Sequence, residues 1–212
     1  MDREPGHLPR DVKKVVDSLV WVKIVALGSV GVGKTCLIKH FCESKFTPAY
    51  QATVGVDYGF KIQNVLGTDL RVHLWDLSGH PDYADVRAEL YIETQACFLV
   101  YDVTNPSSFE QLDIWLKELV RCGASNSYLV VVANKVDLGA KRVVSSDDGK
   151  KWAAAHKLKY YETSAQSGDG VNKMFTDLLT AVVSRKPLQY HEERENEAAC
   201  VKPLAFGWML NI

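Results

Sequence analysis

The sequence predicts an α/β fold in which helices cover both faces of a mainly parallel sheet. Three observations carry this. Short β-rich apolar runs alternate with longer segments patterned at helical spacing. Two of the runs, 96–103 (ACFLVYDV) and 128–133 (YLVVVA), are almost continuously apolar, as parallel strands covered on both faces are. Between the first strand and the first helix stands Gly28-Ser29-Val30-Gly31-Val32-Gly33-Lys34-Thr35, a glycine-rich turn of the phosphate-cradling kind.

The elements follow in order. Residues 21–27 (WVKIVAL) read as the first strand and 34–42 as the first helix. Residues 57–66 and 70–77 read as two strands; the second (LRVHLWDL) alternates apolar and polar, and a Gly67-Thr68-Asp69 turn joins them into a hairpin. After strand 96–103, Pro106 and the serines behind it start a helix over 108–122, with Phe109, Leu112, Ile114, Trp115, Leu119 and Val120 at helical spacing. Strand 128–133 follows. Ser145 or Ser146 can cap a helix through His156, and 159–162 is a short last strand. The final helix, 171–184, carries Val171, Met174, Phe175, Leu178, Leu179 and Val182 in an apolar stripe. Right-handed crossovers connect such strands, and ligands bind beyond their carboxyl ends.

Composition excludes several functions. The 212 residues hold 25 Lys+Arg against 26 Asp+Glu, a net charge of −1, so a nucleic-acid partner is not expected. No run approaches the roughly 18 apolar residues of a membrane span. The N-terminus has no apolar core of a secretory signal, and Asp2 excludes N-myristoylation. Cys36, Cys42, Cys97, Cys122 and Cys200 are odd in number and contain no CxxC; they read as buried free thiols of a cytoplasmic protein. His40, His73 and His156 stand alone and read as surface residues. Trp115 and Trp152 lie on helix patterns and read as packing residues.

The chemistry sits in two places. In the glycine-rich turn, Ser29, Val30, Gly31, Val32, Gly33, Lys34, Thr35 and Cys36 run from strand into helix. The curled backbone turns successive N–H groups onto phosphate oxygens, and the helix start adds positive dipole character. Lys34 brings a cation to the β- and γ-phosphates, and the Thr35 hydroxyl suits Mg²⁺. The second place is Asn134-Lys135-Val136-Asp137, directly after strand 128–133. A carboxylate at Asp137 can accept from the two adjacent donors of guanine, N1–H and N2–H₂. Adenine has no such pair, which disfavours an adenine-nucleotide enzyme. Ser164, Ala165 and Gln166, after the last strand, complete a purine pocket.

With these motifs the chain resembles a Ras-superfamily small GTPase, over residues from about 20 to 185. The order is P-loop, TVG, WDLSG, NKVD and ETSAQ. Within the superfamily it is similar to the Rabs, through VGVDY, RVHLWDLSG and LVYDVT. The resemblance implies a P-loop NTPase G domain with a six-stranded sheet, switching between GTP and GDP forms with Mg²⁺. It implies that Thr53 of switch I meets Mg²⁺ and the γ-phosphate, and that Phe46 covers the guanine. By the same resemblance Asp76 holds Mg²⁺ through water and the Gly79 N–H senses the γ-phosphate. The implied partners are protein effectors and exchange or activating factors, engaged through switch I, Trp75 and switch II. The protein itself is expected to be a monomer, visiting membranes transiently through such partners.

The departures from the family pattern shape the expected activity. His80 stands where most relatives have the Gln that orients the attacking water. Val30 stands where they prefer a small residue; a branched side chain there crowds the γ-phosphate and obstructs an arginine finger. Lys34, Gly79 and His80 are thus the expected catalytic set of a slow GTPase; the alternative is a GTP-locked, non-catalytic scaffold. The sequence His80-Pro81 after the switch II glycine resembles the RJL (Rab/J-domain-like) group. His80-Pro81-Asp82 also spells the J-domain tripeptide, here read as coincidence. Residues 1–19 read as a flexible N-terminal extension and 186–212 as a C-terminal one. In the latter no J domain, prenylation motif or lipid anchor is expected. The apolar 198–212 either packs back on the domain or docks a partner.

Overall fold

A computed structural model describes residues 19–49 and 51–185. The expected C-terminal extension with Cys200, and all but the last residue of the N-terminal one, lie outside the described residues. The chain forms six strands: β1 (Val20–Leu27), β2 (Val56–Val65), β3 (Thr68–Leu77), β4 (Ala96–Asp102), β5 (Tyr128–Asn134) and β6 (Lys159–Thr163). They lie in one sheet in the order β2-β3-β1-β4-β5-β6. Every pairing is parallel except β2 with β3. The helices are α1 (Lys34–Glu43), α2 (Ala84–Leu90), α3 (Pro106–Glu110), α4 (Leu112–Arg121), α5 (Ser146–Ala155) and α6 (Val171–Arg185). Short 3₁₀ turns at Pro81–Tyr83 and Val136–Lys141 complete the set.

The sheet sits between two apolar layers, as two-face burial requires. On one side α1 and α6 press Leu37, Phe41, Met174 and Phe175 onto Ile24, Leu74 and Val132; Phe41 and Phe175 stack at 4.0 Å. On the other, Tyr91, Leu112, Trp115 and Ala153 cover Leu27, Leu99 and Ala133. All seven residues of β4 are buried. At about 25 cal/mol per Å² of apolar surface, these layers supply the main term holding the fold. The parallel register brings the ends of β1, β3, β4, β5 and β6 to one edge, and the P-loop leaves β1 between β3 and β4. That is the switch point of a doubly wound sheet.

Several expectations need correction. The hairpin turn is only Leu66-Gly67, with φ of 51° and 79°; this matches a two-residue type I′ turn, so Thr68 and Asp69 pair within β3. The expected helix over 108–122 begins at Pro106 and breaks at Gln111 (ψ −6°), where the Gln111 carboxamide oxygen accepts the Ser29 hydroxyl, 2.7 Å away. His73 is not a surface residue. It is buried and stacked on Trp21 at 4.3 Å: it lies on the face of β3 opposite the core residues Val72 and Leu74, but the partly exposed rings of Trp21, Tyr58 and Phe60 roof it over. Of the described cysteines, all free, only Cys97 is fully buried; Cys36, Cys42 and Cys122 stand at the margins of the core.

Candidate functional site

A cavity of about 550 Å³ opens at the carboxyl edge of the sheet. Its floor is the P-loop. The loop begins at Gly28, whose φ is 138°; a Cβ there would lie 2.2 Å from the Val100 carbonyl oxygen, so only glycine turns this corner. Lys34 folds back over the loop and donates to the carbonyls of Gly28 (2.8 Å) and Ser29 (3.0 Å). Burial lowers the Lys34 ammonium to about 8, with the Asp76 carboxylate opposing the shift.

Beside Lys34 three expected metal ligands converge. The Thr35 and Thr53 hydroxyls lie 3.0 Å apart, Thr53 donates to Asp76 Oδ2 at 3.2 Å, and Thr35 donates to the same oxygen. Asp76 is buried, and burial pushes its carboxyl above the usual range; its Oδ1 has no hydrogen-bond partner. Hydroxyl and carboxylate oxygens with one buried lone-pair set unused suit a hard cation such as Mg²⁺. Gly79 presses on the P-loop from above: a Cβ there would come within 2.6 Å of the Gly28 carbonyl oxygen and the Val30 nitrogen.

The far end is cross-linked. The Asn134 carboxamide donates to the Val32 carbonyl (2.8 Å) and accepts from the Thr163 hydroxyl (3.2 Å) and the Ala165 N–H (3.3 Å). Lys135 reaches the Gly31 carbonyl (2.8 Å) and the Asp102 carboxylate (2.7 Å). Ser164 donates to Asp137 Oδ1 at 2.6 Å, fixing the carboxylate at the cavity wall.

Most residues expected from sequence line this one cavity: Val30, Gly31, Gly33, Lys34, Thr35, Cys36, Phe46, Thr53, Gly79, His80, Asn134, Lys135, Asp137, Ala165 and Gln166. Four do not, because their side chains turn elsewhere. Ser29 points to Gln111, Val32 is buried in the core, and Asp76 and Ser164 stand behind Thr35 and Asp137. His80 lies on the rim with a second task. Its Nδ1 accepts the Asp82 N–H (3.3 Å) and so caps the Pro81–Tyr83 turn. Trp75 is half-buried and meets Tyr58 edge-on at 5.4 Å.

Sequence reasoning missed Arg87. This guanidinium, 3% exposed, donates to the carbonyls of Ser78 (2.9 Å) and His80 (2.8 Å) on both sides of Gly79. Its other edge pairs with Glu118 at 2.8 and 3.0 Å, and the Tyr91 hydroxyl donates to the same carboxylate at 2.8 Å. Burial alone would raise the Glu118 carboxyl; the bonds from Arg87 and Tyr91 outweigh that and hold it below the usual range. Trp115 lies under the cation at 4.9 Å, and its indole N–H reaches the Ser29 hydroxyl at 3.4 Å. Opening a buried pair of this kind costs about 3–5 kcal/mol, against about 1.5–3 kcal/mol for one hydrogen bond to a charged group. No motif marks these residues; an Arg on a short helix reads as solvated.

Known proteins bear on this geometry. The Ras family model matches residues 23–184. A protein of Danio rerio named DnaJ homolog subfamily C member 27 is 43% identical over 166 residues, covering 76% of this chain and 61% of that protein. Its namesake in Homo sapiens is 40% identical over 167 residues with the same coverage. The chain thus spans about three-fifths of the length of the curated relatives it matches. Names with DnaJ accord with the resemblance to the RJL group.

Proposed function

Because the chain belongs to the Ras family of small GTPases, we propose that it is a guanine-nucleotide switch that binds GTP and GDP with Mg²⁺ and hydrolyses GTP slowly. One observation carries the reading: a single cavity has a phosphate cradle with Lys34 at one end and Asp137, held by Ser164, at the other. The spacing of those ends is set by the sheet, since the loops leave parallel strands β1 and β5, with β4 between them.

The residues act by position and charge. The P-loop N–H groups and Lys34 take the phosphates, and filling the site restores the ammonium that burial has weakened. Thr35, Thr53 and Asp76 would hold Mg²⁺, which neutralises charge on the phosphates. Gly79 offers its N–H to the γ-phosphate. Water attacks the γ-phosphorus in line, and His80 is its orienter. With Nδ1 committed to the helix cap, only Nε2 of His80 is left for that task. Val30, 45% exposed at the cavity wall, leaves little room for a second catalytic group from outside. Slow turnover follows from both. Effectors and exchange or activating factors would engage switch I, Trp75 and switch II, and the cytoplasm is the expected compartment.

The test is the nucleotide retained through native purification, read by mass spectrometry, with competition by ATP. GTP or GDP is expected, and ATP is expected to displace labelled GDP at least about 10³-fold less well, since a guanine carboxylate partner left unpaired is costly. Comparable displacement by ATP would remove the assigned role of Asp137. A GTP-locked scaffold is the second reading, favoured by Val30 and His80 together; retained GTP unchanged over hours selects it.

A further inference from the structure

We propose that Arg87 is a positioning residue that holds switch II in place without help from the γ-phosphate, so that GTP and GDP forms differ chiefly at switch I. The inference rests on the reading of the cavity as a GTP site. In such a site the loop bearing Gly79 is ordinarily held by what its N–H touches. Here the two carbonyls flanking Gly79 are gripped from behind by one guanidinium, at 2.9 and 2.8 Å. Four of its five N–H donors are used, two on the loop and two on Glu118. Arg87 and Glu118 side chains are 4% and 12% exposed, so water competes weakly. The anchor belongs to α4, which packs on the core through Leu112 and Leu119, and none of its bonds passes through the nucleotide. Among the described residues, switch I has no buried charged grip of this kind; a single backbone bond, Ser78 N–H to the Gly55 carbonyl (2.9 Å), ties its end. Its Thr53 is held by hydroxyl contacts with Thr35 and Asp76, the groups that the cation and γ-phosphate would reorganise.

The grip is also specific to arginine. A lysine keeps the charge and the pair with Glu118, but one ammonium cannot span two carbonyls and two carboxylate oxygens. A general structural role would tolerate Arg87→Lys; a positioning role would not.

The experiment is amide hydrogen exchange over residues 79–90 in the full chain, loaded with GDP or with a non-hydrolysable GTP analogue. In the parent, the two forms are expected to exchange within about threefold of each other, and residues 51–55 to differ by about tenfold or more. In Arg87→Lys the GDP form of 79–90 is expected to exchange at least about tenfold faster than the analogue form. Glu118→Gln, which removes the anchor's charge but keeps its shape, is expected to do the same and serves where the lysine variant does not fold. A parent whose 79–90 segment already differs tenfold between forms overturns the proposal, as do folded variants indistinguishable from it. Loading is read separately by mass spectrometry. Failure to bind guanine nucleotide sinks the functional reading with it, whereas a loaded protein with a nucleotide-dependent switch II sinks the positioning role alone.

Discussion

Two residues set the expected rate. Val30 presents a branched side chain to the cavity and His80 spends one ring nitrogen on a cap. Replacing Val30 by Gly removes the crowding, and His80→Gln supplies the family's water-orienting amide. The double variant is expected to hydrolyse bound GTP about tenfold faster or more in single turnover; a rate no greater than the parent's would refute this account of slow turnover. Lys34 carries a separate signature. With its ammonium lowered to about 8 in the free site and restored by phosphates, binding takes up a proton above that pH. Affinity for GDP is therefore expected to fall as pH rises, by about tenfold between pH 7 and pH 9. Calorimetric titration across that range checks the sign, and a flat profile would exclude titration of Lys34.

At the scale of elements, the β2–β3 hairpin hides a titrating group. His73 is held down to about 4 by burial, with Arg71 adding to it, while an unfolded His protonates near its ordinary 6.5. Between those values the unfolded chain binds the proton and the folded one does not, so stability falls as pH drops through this window. Urea unfolding at stepped pH is expected to show this slope in the parent and a shallower one in His73→Phe, which keeps the stacking on Trp21. The sequence announced every strand, because continuous apolar runs and the P-loop leave few alternatives. It did not announce the depth of His73, since lone polar residues in an alternating strand read as outward. The break at Gln111 was equally hidden: the helical stripe runs through it, and its long-range bond to Ser29, 82 residues away, leaves no local signal.

For the whole molecule, the site was far more legible than its support. P-loop, NKVD and SAQ name their own positions by chemistry; the Arg87–Glu118 pair, 31 residues apart, emerges only when α2 docks against α4. Ligand binding should be felt globally, since the cavity draws on loops from nearly every strand. GDP with Mg²⁺ at 100–1,000 times its dissociation constant is expected to add about 3–4 kcal/mol of stability, or roughly 10 °C in the unfolding midpoint. Calorimetry with and without a chelator measures it; no dependence on Mg²⁺ would argue against the Thr35, Thr53 and Asp76 set.

Lys135 has a consequence for residence time. It takes the left-handed conformation (φ 68°) to brace the Gly31 carbonyl and Asp102 together, and Asn134 ties down Val32 beside it. The rim around base and phosphate loops is thus stitched into one hoop. On the proposed reading a bound nucleotide would leave by the gap in that hoop, along Thr53 and its neighbours, where the hydroxyl contacts of Thr53 and one backbone bond, Ser78 N–H to the Gly55 carbonyl (2.9 Å), close the circle. Whatever hastens release has to push there, and whatever prolongs occupancy has only that gap to guard.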